Sequence, residues 1–398
     1  MNILPRRVLL ATLAAASLSF THAADIPTSK AAPRVFTAAG FPTDDTFFPI
    51  AVWLQEPRNA AKYQAAGINL YIGLWKGPDA AQLAELEKAH MPVICEQNAF
   101  ALTQRDNPII AAWMHGDEPD NAQELGHGKG YGPPIAPEKI VADYEHLRAA
   151  DPSRPVILNL GQSVAWDNYI GRGVRRNHPE DYPAYLRGCD IASFDIYPVA
   201  HDNREIAGHL EYVPRGVERL IGWSQGAKPI WNCLECTNIG GTGKATPAQV
   251  RAEAWMALIR GSRGLVYFVH QFKPKFREAA LFDDPEMLAA VTALNREIHD
   301  LAPVLNSPTI AGSVEIQSAQ SSTAIATMLK RHGGETWLFT ANLQNTPTQA
   351  AFTVKGAPAA GPAEVLGENR TLPFTKGQLS DDFAAYAIHL YRIGSDEK

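Results

Sequence analysis

An alternation narrows the possible folds most: from residue 48 onward, short apolar runs bounded by turn residues take turns with longer stretches of helical periodicity. The apolar runs are 48–54, 68–74, 92–96, 109–115, 155–160, 191–197, 229–235 and 264–270, and the helical stretches include 78–90, 137–150, 208–225, 247–260 and 285–301. Near-continuous apolar runs belong to parallel strands covered on both faces by crossover helices. Several helical stretches open with proline, whose missing N–H costs nothing in a first turn. Eight strand–helix units in about 255 residues is the arithmetic of an α/β (β/α)8 TIM barrel. The alternative is an open doubly wound sheet, which often has a glycine-rich first crossover. Here that crossover reads Glu56-Pro57-Arg58-Asn59, without a GxGxxG pattern. The expected barrel covers 46–306.

From about residue 308 the texture changes to short strand-like runs at 313–317, 324–329, 337–341, 350–354 and 386–392. Their spacing predicts a small C-terminal all-β sandwich domain over 307–398, with the Ala/Pro/Gly-rich 356–362 as a loop. At the other end, Arg6 and Arg7 precede an apolar run at 8–18, and Thr21-His22-Ala23 puts small residues where a signal peptidase cuts. The expectation is a signal peptide over 1–23, a lead segment over 24–45, and a periplasmic or secreted product. The twin-arginine pattern is matched only in part. No apolar run is long enough to span a bilayer as a helix, so no membrane partner is expected.

The chain carries 36 Lys+Arg against 42 Asp+Glu and has no long basic run. It lacks the electrostatic footprint of a nucleic-acid binder. Cys233 and Cys236 fall on one expected strand, where their α-carbons stand roughly 10 Å apart, too far for a disulfide. All four cysteines are expected as small buried apolar groups.

Barrel enzymes carry their chemistry at the C-terminal ends of the strands. The fourth strand ends in Trp113-Met114-His115-Gly116-Asp117-Glu118-Pro119-Asp120 and the seventh in Trp231-Asn232-Cys233-Leu234-Glu235-Cys236. Each delivers a glutamate where its strand stops. Two carboxyls across one barrel mouth can divide labour, one protonated as acid and one ionised as nucleophile, which is what a glycosidic bond requires. Strand parity sets Trp231 and Cys233 below Glu235 on one face.

These residues resemble the retaining (β/α)8 glycoside hydrolases of clan A, which include the family 5 cellulases and mannanases. The resemblance implies that Glu118 is the acid/base, Glu235 the nucleophile, and Tyr197 of Phe194-Asp195-Ile196-Tyr197-Pro198 the tyrosine that supports the nucleophile. Two departures stand out. Asp117 occupies the place where the clan commonly has asparagine, and Tyr267-Phe268-Val269-His270-Gln271-Phe272 lacks the clan's frequent strand-eight tryptophan. Further substrate contacts are expected from Glu96 after strand three, Asn159 after strand five, and His270 after strand eight. Trp75 and Trp166, in loops, are placed to stack on sugar faces. The expected partner is an oligo- or polysaccharide; no cofactor and no metal is called for.

Two other functions fit parts of the pattern. A metal-dependent barrel hydrolase would use His115, Asp117, Asp195 and His270, although 48–57 lacks the His-x-His often found after strand one. A non-catalytic carbohydrate-binding barrel would keep the shape without the turnover.

Overall fold

The computed structural model describes residue 41 and residues 44–241, 243–319 and 324–394. The expected signal peptide and most of the lead segment therefore lie outside the described residues. Eight strands, β1 (Ile50–Trp53), β2 (Leu70–Ile72), β3 (Val93–Glu96), β4 (Ile110–Met114), β5 (Val156–Leu160), β6 (Ile191–Phe194), β7 (Ile230–Glu235) and β8 (Leu265–Phe268), pair in chain order, and β8 closes on β1. All eight pairings are parallel. The apolar runs of the sequence correspond to these strands because both faces of each strand are covered.

The interior is a packed apolar core. Ala51, Ile72, Ile94, Met114, Ile157 and Val266 meet there over Trp231 and Cys233. Trp231 fills the N-terminal end, where Phe41 meets it edge-on at 6.4 Å. Gly264 makes room for that indole: a β-carbon at 264 would stand 2.5 Å from its ring.

Outside the strands lie α1 (Ala60–Ala65), α2 (Ala80–Lys88), α3 (Ala99–Thr103), α4 (Pro137–Ala150), α5 (Tyr182–Tyr185), α6 (Tyr212–Trp223), α7 (Pro247–Ile259), α8 (Pro285–Asp300) and α9 (Ala302–Asn306). Helix α7 opens with Thr246 and Gln249 in a reciprocal capping box and with Pro247 in its first turn. It is apolar nearly all round, with Val250, Ala254, Trp255, Ala257 and Leu258 all buried. The reason is its position between two layers, with the barrel on one side and the C-terminal domain on the other. Trp255 packs on Phe339 of that domain at 5.5 Å between ring centres.

The C-terminal domain holds β9 (Val314–Ser318), β10 (Ile325–His332), β11 (Glu335–Asn342), β12 (Thr348–Val354), β13 (Ala360–Val365), β14 (Arg370–Thr375), β15 (Gln378–Phe383) and β16 (Ile388–Ile393). They form one antiparallel ladder in the order β10-β11-β16-β13-β14-β15-β12-β9. The ladder folds over its own core: the rings of Phe352 on β12 and Tyr391 on β16, four places apart in the order, approach to 6.4 Å. Three strands, β13 to β15, have no counterpart among the expected runs, and the expected loop at 356–362 runs into β13. Pro362 sits opposite Pro373 in the β13–β14 pair, so pairing there proceeds despite residues that discourage it.

All four cysteines are free and buried, as expected. No helix among the described residues is long and apolar enough to cross a membrane.

Candidate active site

The chain beyond β4 turns at Glu118, which adopts φ +44°, a left-handed conformation that costs a side-chain-bearing residue about 1–3 kcal/mol. Its surroundings over-determine the turn. The Glu118 N–H donates to the Asn159 carbonyl (3.2 Å), the Asn121 N–H donates to the Glu118 carbonyl (3.0 Å), and the Asn121 side-chain amide donates to Glu118 Oε2 (2.9 Å). Asp120, fully buried, accepts from the Gly161 N–H and the Tyr182 hydroxyl, each at 2.9 Å, and stands 3.7 Å from the Arg172 guanidinium. The loop after β4 is thereby fixed to the connection between β5 and β6.

A second relay crosses three strands. The Ser193 hydroxyl on β6 donates to Asn159 Oδ1 on β5 (2.7 Å), and Asn159 Nδ2 donates to Asp117 Oδ1 after β4 (2.9 Å). That bond uses the donor half of Asn159 and leaves Asp117 Oδ2 free of it. Asp117 is exposed at the rim and Glu118 half-buried. Asp117 is nonetheless ringed by protein, and burial of its inner face pushes its carboxyl up to about 6, against the pull of the Asn159 amide.

Beneath them lies Asp195, at the end of β6 and 8% exposed. Its carboxyl is within hydrogen-bond reach of Glu118. Two carboxylates offer acceptors only, so this contact requires a shared proton. Burial first, then the Asp195 charge, pushes the Glu118 carboxyl well above its ordinary range; burial likewise raises Asp195. Tyr197 joins the same group. Burial raises its hydroxyl, and the charges of Asp195, Glu118 and Asp117 add to the effect.

Glu235 is held differently. It was expected at the open mouth opposite Glu118, yet it is fully enclosed. The backbone N–H groups of Val199 and Ala200 donate to its two oxygens, each at 2.6 Å, and it lies against the carboxyl of Glu253, a buried residue of α7. Burial raises both carboxyls of that pair. No hydrogen bond joins Glu118 to Glu235; each has its own acid partner.

The other expected contacts divide between rim and core. Glu96 and Trp75 are exposed, and the Trp75 indole N–H donates to Glu278 Oε1 (3.1 Å). Trp166 is 3% exposed and packs edge-on against His201, so it belongs to the core beneath the loop and not to an open stacking face. His270 is likewise buried: its Nε2 donates to the Leu54 carbonyl at 3.1 Å, and burial lowers it to about 4, which keeps the ring neutral. It supports an aromatic line that the sequence did not reveal. Phe272 stacks on His270 at 6.2 Å and Phe276 at 5.9 Å; Phe276 meets Trp75 at 6.4 Å, and Phe268 links Phe272 to Tyr197. Phe272 and Phe276 are each about half exposed. The alternation Phe268, His270, Phe272 was the available signal.

The sequence pattern presents Asp195 only as a metal ligand and gives no local signal for Asp120 or Glu253. Of the four residues considered for a metal, Asp117 and Asp195 meet at the mouth. His115 turns away, donating to the Gly188 carbonyl at 2.7 Å, and His270 sits beside β1. Among the described residues, no group of three or more such side chains is placed to hold a metal ion.

No protein-family model and no curated protein matches the sequence. Solved structures do match in shape. Alpha-galactosidase I from Mortierella vinacea aligns with a TM-score of 0.53 at 10% identity, covering 89% of this chain and 98% of that one. The chain has the fold of these barrel proteins. A noncanonic maltogenic alpha-amylase, AmyB from Thermotoga neapolitana, gives 0.52 at 7% identity over 88% and 99% of the two chains. An AmyP variant in complex with maltotriose gives 0.50 at 9% identity over 88% and 97%. At such identities the likeness is one of architecture, barrel plus trailing β domain.

Proposed function

We propose that the protein is an exported glycoside hydrolase that cleaves O-glycosidic bonds in an oligo- or polysaccharide, with Glu118 as proton donor. The observation that carries this reading is the state of Glu118. It lies half-exposed at the C-terminal mouth of a barrel, and burial followed by the Asp195 charge raises its carboxyl well above the ordinary range. A departing sugar oxygen is a poor leaving group until protonated, and an acid whose carboxyl is raised above its ordinary range is suited to supply that proton. The exposed aromatic edge of Trp75, Phe272 and Phe276 offers faces for sugar rings. Likeness in fold to proteins named alpha-galactosidase and alpha-amylase adds support of the same kind.

The reaction proceeds by double displacement, with Glu235 as the nucleophile that clan A resemblance assigns. Glu118 and Asp195, sharing a proton, are too close to flank a sugar ring as a retaining pair, whose carboxyls stand about 5–5.5 Å apart. Glu235 reaches the sugar only when the Val199 and Ala200 amides release it. A second reading is favoured by exposure: Asp117, open at the rim beside Glu118, is the ionised carboxylate.

A mechanism-based covalent glycosyl label, located by peptide mass, separates the two. Label on the peptide bearing Glu235 supports the first, and label on Asp117 the second. Glu118→Ala should slow natural glycosides by about a thousandfold while sparing activated aryl glycosides, since general acid catalysis contributes about 10²–10⁴-fold. Unchanged turnover of a natural glycoside in Glu118→Ala refutes the proposal.

A further inference from the structure

At the end of the barrel remote from Glu118, a cavity of about 250 Å³ opens between the N-terminal ends of the strands and the first strands of the C-terminal domain. Ile221, Leu258, Leu305, Ile310 and Met328 give it apolar walls. Its charged lining is all of one sign: Lys228, Arg260, Arg263 and Lys330, with no aspartate or glutamate among the lining residues. Buried cations are ordinarily paired with anions.

Three of them, Lys228, Arg263 and Lys330, are paired with carbonyls. Lys330, 1% exposed on β10, donates from Nζ to the Leu305 carbonyl at 2.9 Å and to the Ser307 carbonyl. Arg263 donates from a terminal nitrogen to that same Leu305 oxygen at 2.9 Å. Two basic groups thus share one neutral acceptor and sit within two hydrogen-bond lengths of each other. Lys228 donates to the Cys189 carbonyl, and Arg260 pairs with Glu218 at 3.0 Å while its buried Nε has no partner. Burial, with the Arg263 charge second, lowers the Lys330 ammonium to about 6, so it carries its proton only in mildly acid solution until an anion beside it restores the charge. Among the described residues Arg263 has no carboxylate partner, and carbonyl dipoles face its charge.

We propose that this cavity is a binding site for a small organic carboxylate, its anionic head set against Arg263, Lys330 and the Arg260 guanidinium, and its hydrocarbon part against Ile221, Leu258 and Met328. The planar guanidinium groups match a carboxylate in geometry as well as charge. The volume suits a head carrying a ring or a short chain, since a cavity of about 150 Å³ already holds benzene. Because the lining comes from both the barrel and the C-terminal domain, the bound carboxylate bridges the two and stabilises their junction.

The test uses the full chain and sodium benzoate, with benzyl alcohol as the neutral analogue and sodium sulfate as an anion without an apolar part. Titration calorimetry and thermal unfolding are read in parallel. The expected result is saturable benzoate binding that raises the unfolding midpoint, with benzyl alcohol and sulfate each at least tenfold weaker. Lys330→Met and Arg263→Gln should each weaken benzoate at least tenfold. Arg260→Gln, at a half-exposed position, gives the same reading should the buried substitutions fail to fold. The site is overturned if the wild type shows no saturable benzoate binding, if benzyl alcohol or sulfate binds as tightly, or if benzoate affinity survives these substitutions.

Discussion

Replacing Asp120 with alanine tests how the loop after β4 is held. The carboxylate accepts from the Gly161 N–H and the Tyr182 hydroxyl at 2.9 Å each and faces Arg172 at 3.7 Å, and none of these groups reaches solvent through Asp120. Burial pushes the acid up, while these donors and the cation hold its ionised form in place. Truncation leaves two donors unpaired, at about 1–3 kcal/mol apiece. Removing one partner of a buried ion pair costs roughly 3–5 kcal/mol, a figure that overlaps the first and is not added to it. Arg172 keeps a second carboxylate, Asp181 at 2.5 Å, which sets the expectation toward the lower end, about 3 kcal/mol. Asp120→Asn retains an acceptor for Gly161 and should cost about half as much. Urea unfolding followed by tryptophan fluorescence and circular dichroism gives the difference from the shift in midpoint at constant m. Because Asp120 fixes the turn in which Glu118 takes φ +44°, turnover should fall in the same variants. A loss below about 1 kcal/mol in Asp120→Ala, or equal losses in the two variants, refutes the account of the loop.

Three more outcomes follow from other parts of the fold. Burial raises both Glu235 and Glu253, so their shared proton stabilises the folded chain fully below the ordinary carboxylate range and the contribution drains away as pH rises through the raised values. Glu253→Gln should therefore flatten the loss of stability between about pH 5 and 8 by up to about 1.4 kcal/mol per pH unit, and an unchanged slope in urea unfolding counts against a shared proton. Gly216 on α6 lies against Phe194, where a β-carbon would come within 2.2 Å of the ring; Gly216→Ala should cost about 1–3 kcal/mol net of any helix gain, and a raised melting midpoint disproves the close packing. Trp75→Ala and Phe272→Ala should each weaken oligosaccharide binding by about three- to tenfold, read by calorimetry, and unaltered affinity removes the aromatic line from the substrate site.

The amino-acid order alone determined the barrel. Parallel strands covered on both sides must be apolar along their whole length, so the runs at 109–115, 155–160 and 191–197 announced themselves without reference to any partner. Strand ends could be located for the same reason, which put Asp117, Glu118 and Asn159 at the mouth. Strands β13 to β15 escaped notice because Gly361, Pro362 and alternating polar residues disfavour strand locally, and it is the neighbouring β16 and β12 that impose pairing on them.

Which acid meets which was decided only when the barrel closed. Glu118 faces Asp195 and Glu235 faces Glu253 through contacts 77 positions and 18 positions apart in the chain, and no local pattern encodes a distance between separate strands. His270 and Trp166 read as rim residues from their place after a strand, yet the rings of Phe272, Phe276 and His201 cover them. Periodicity and turn chemistry act over a few residues and fix the elements. Proton sharing, burial and the alignment of donors act through space, so they depend on how those elements pack.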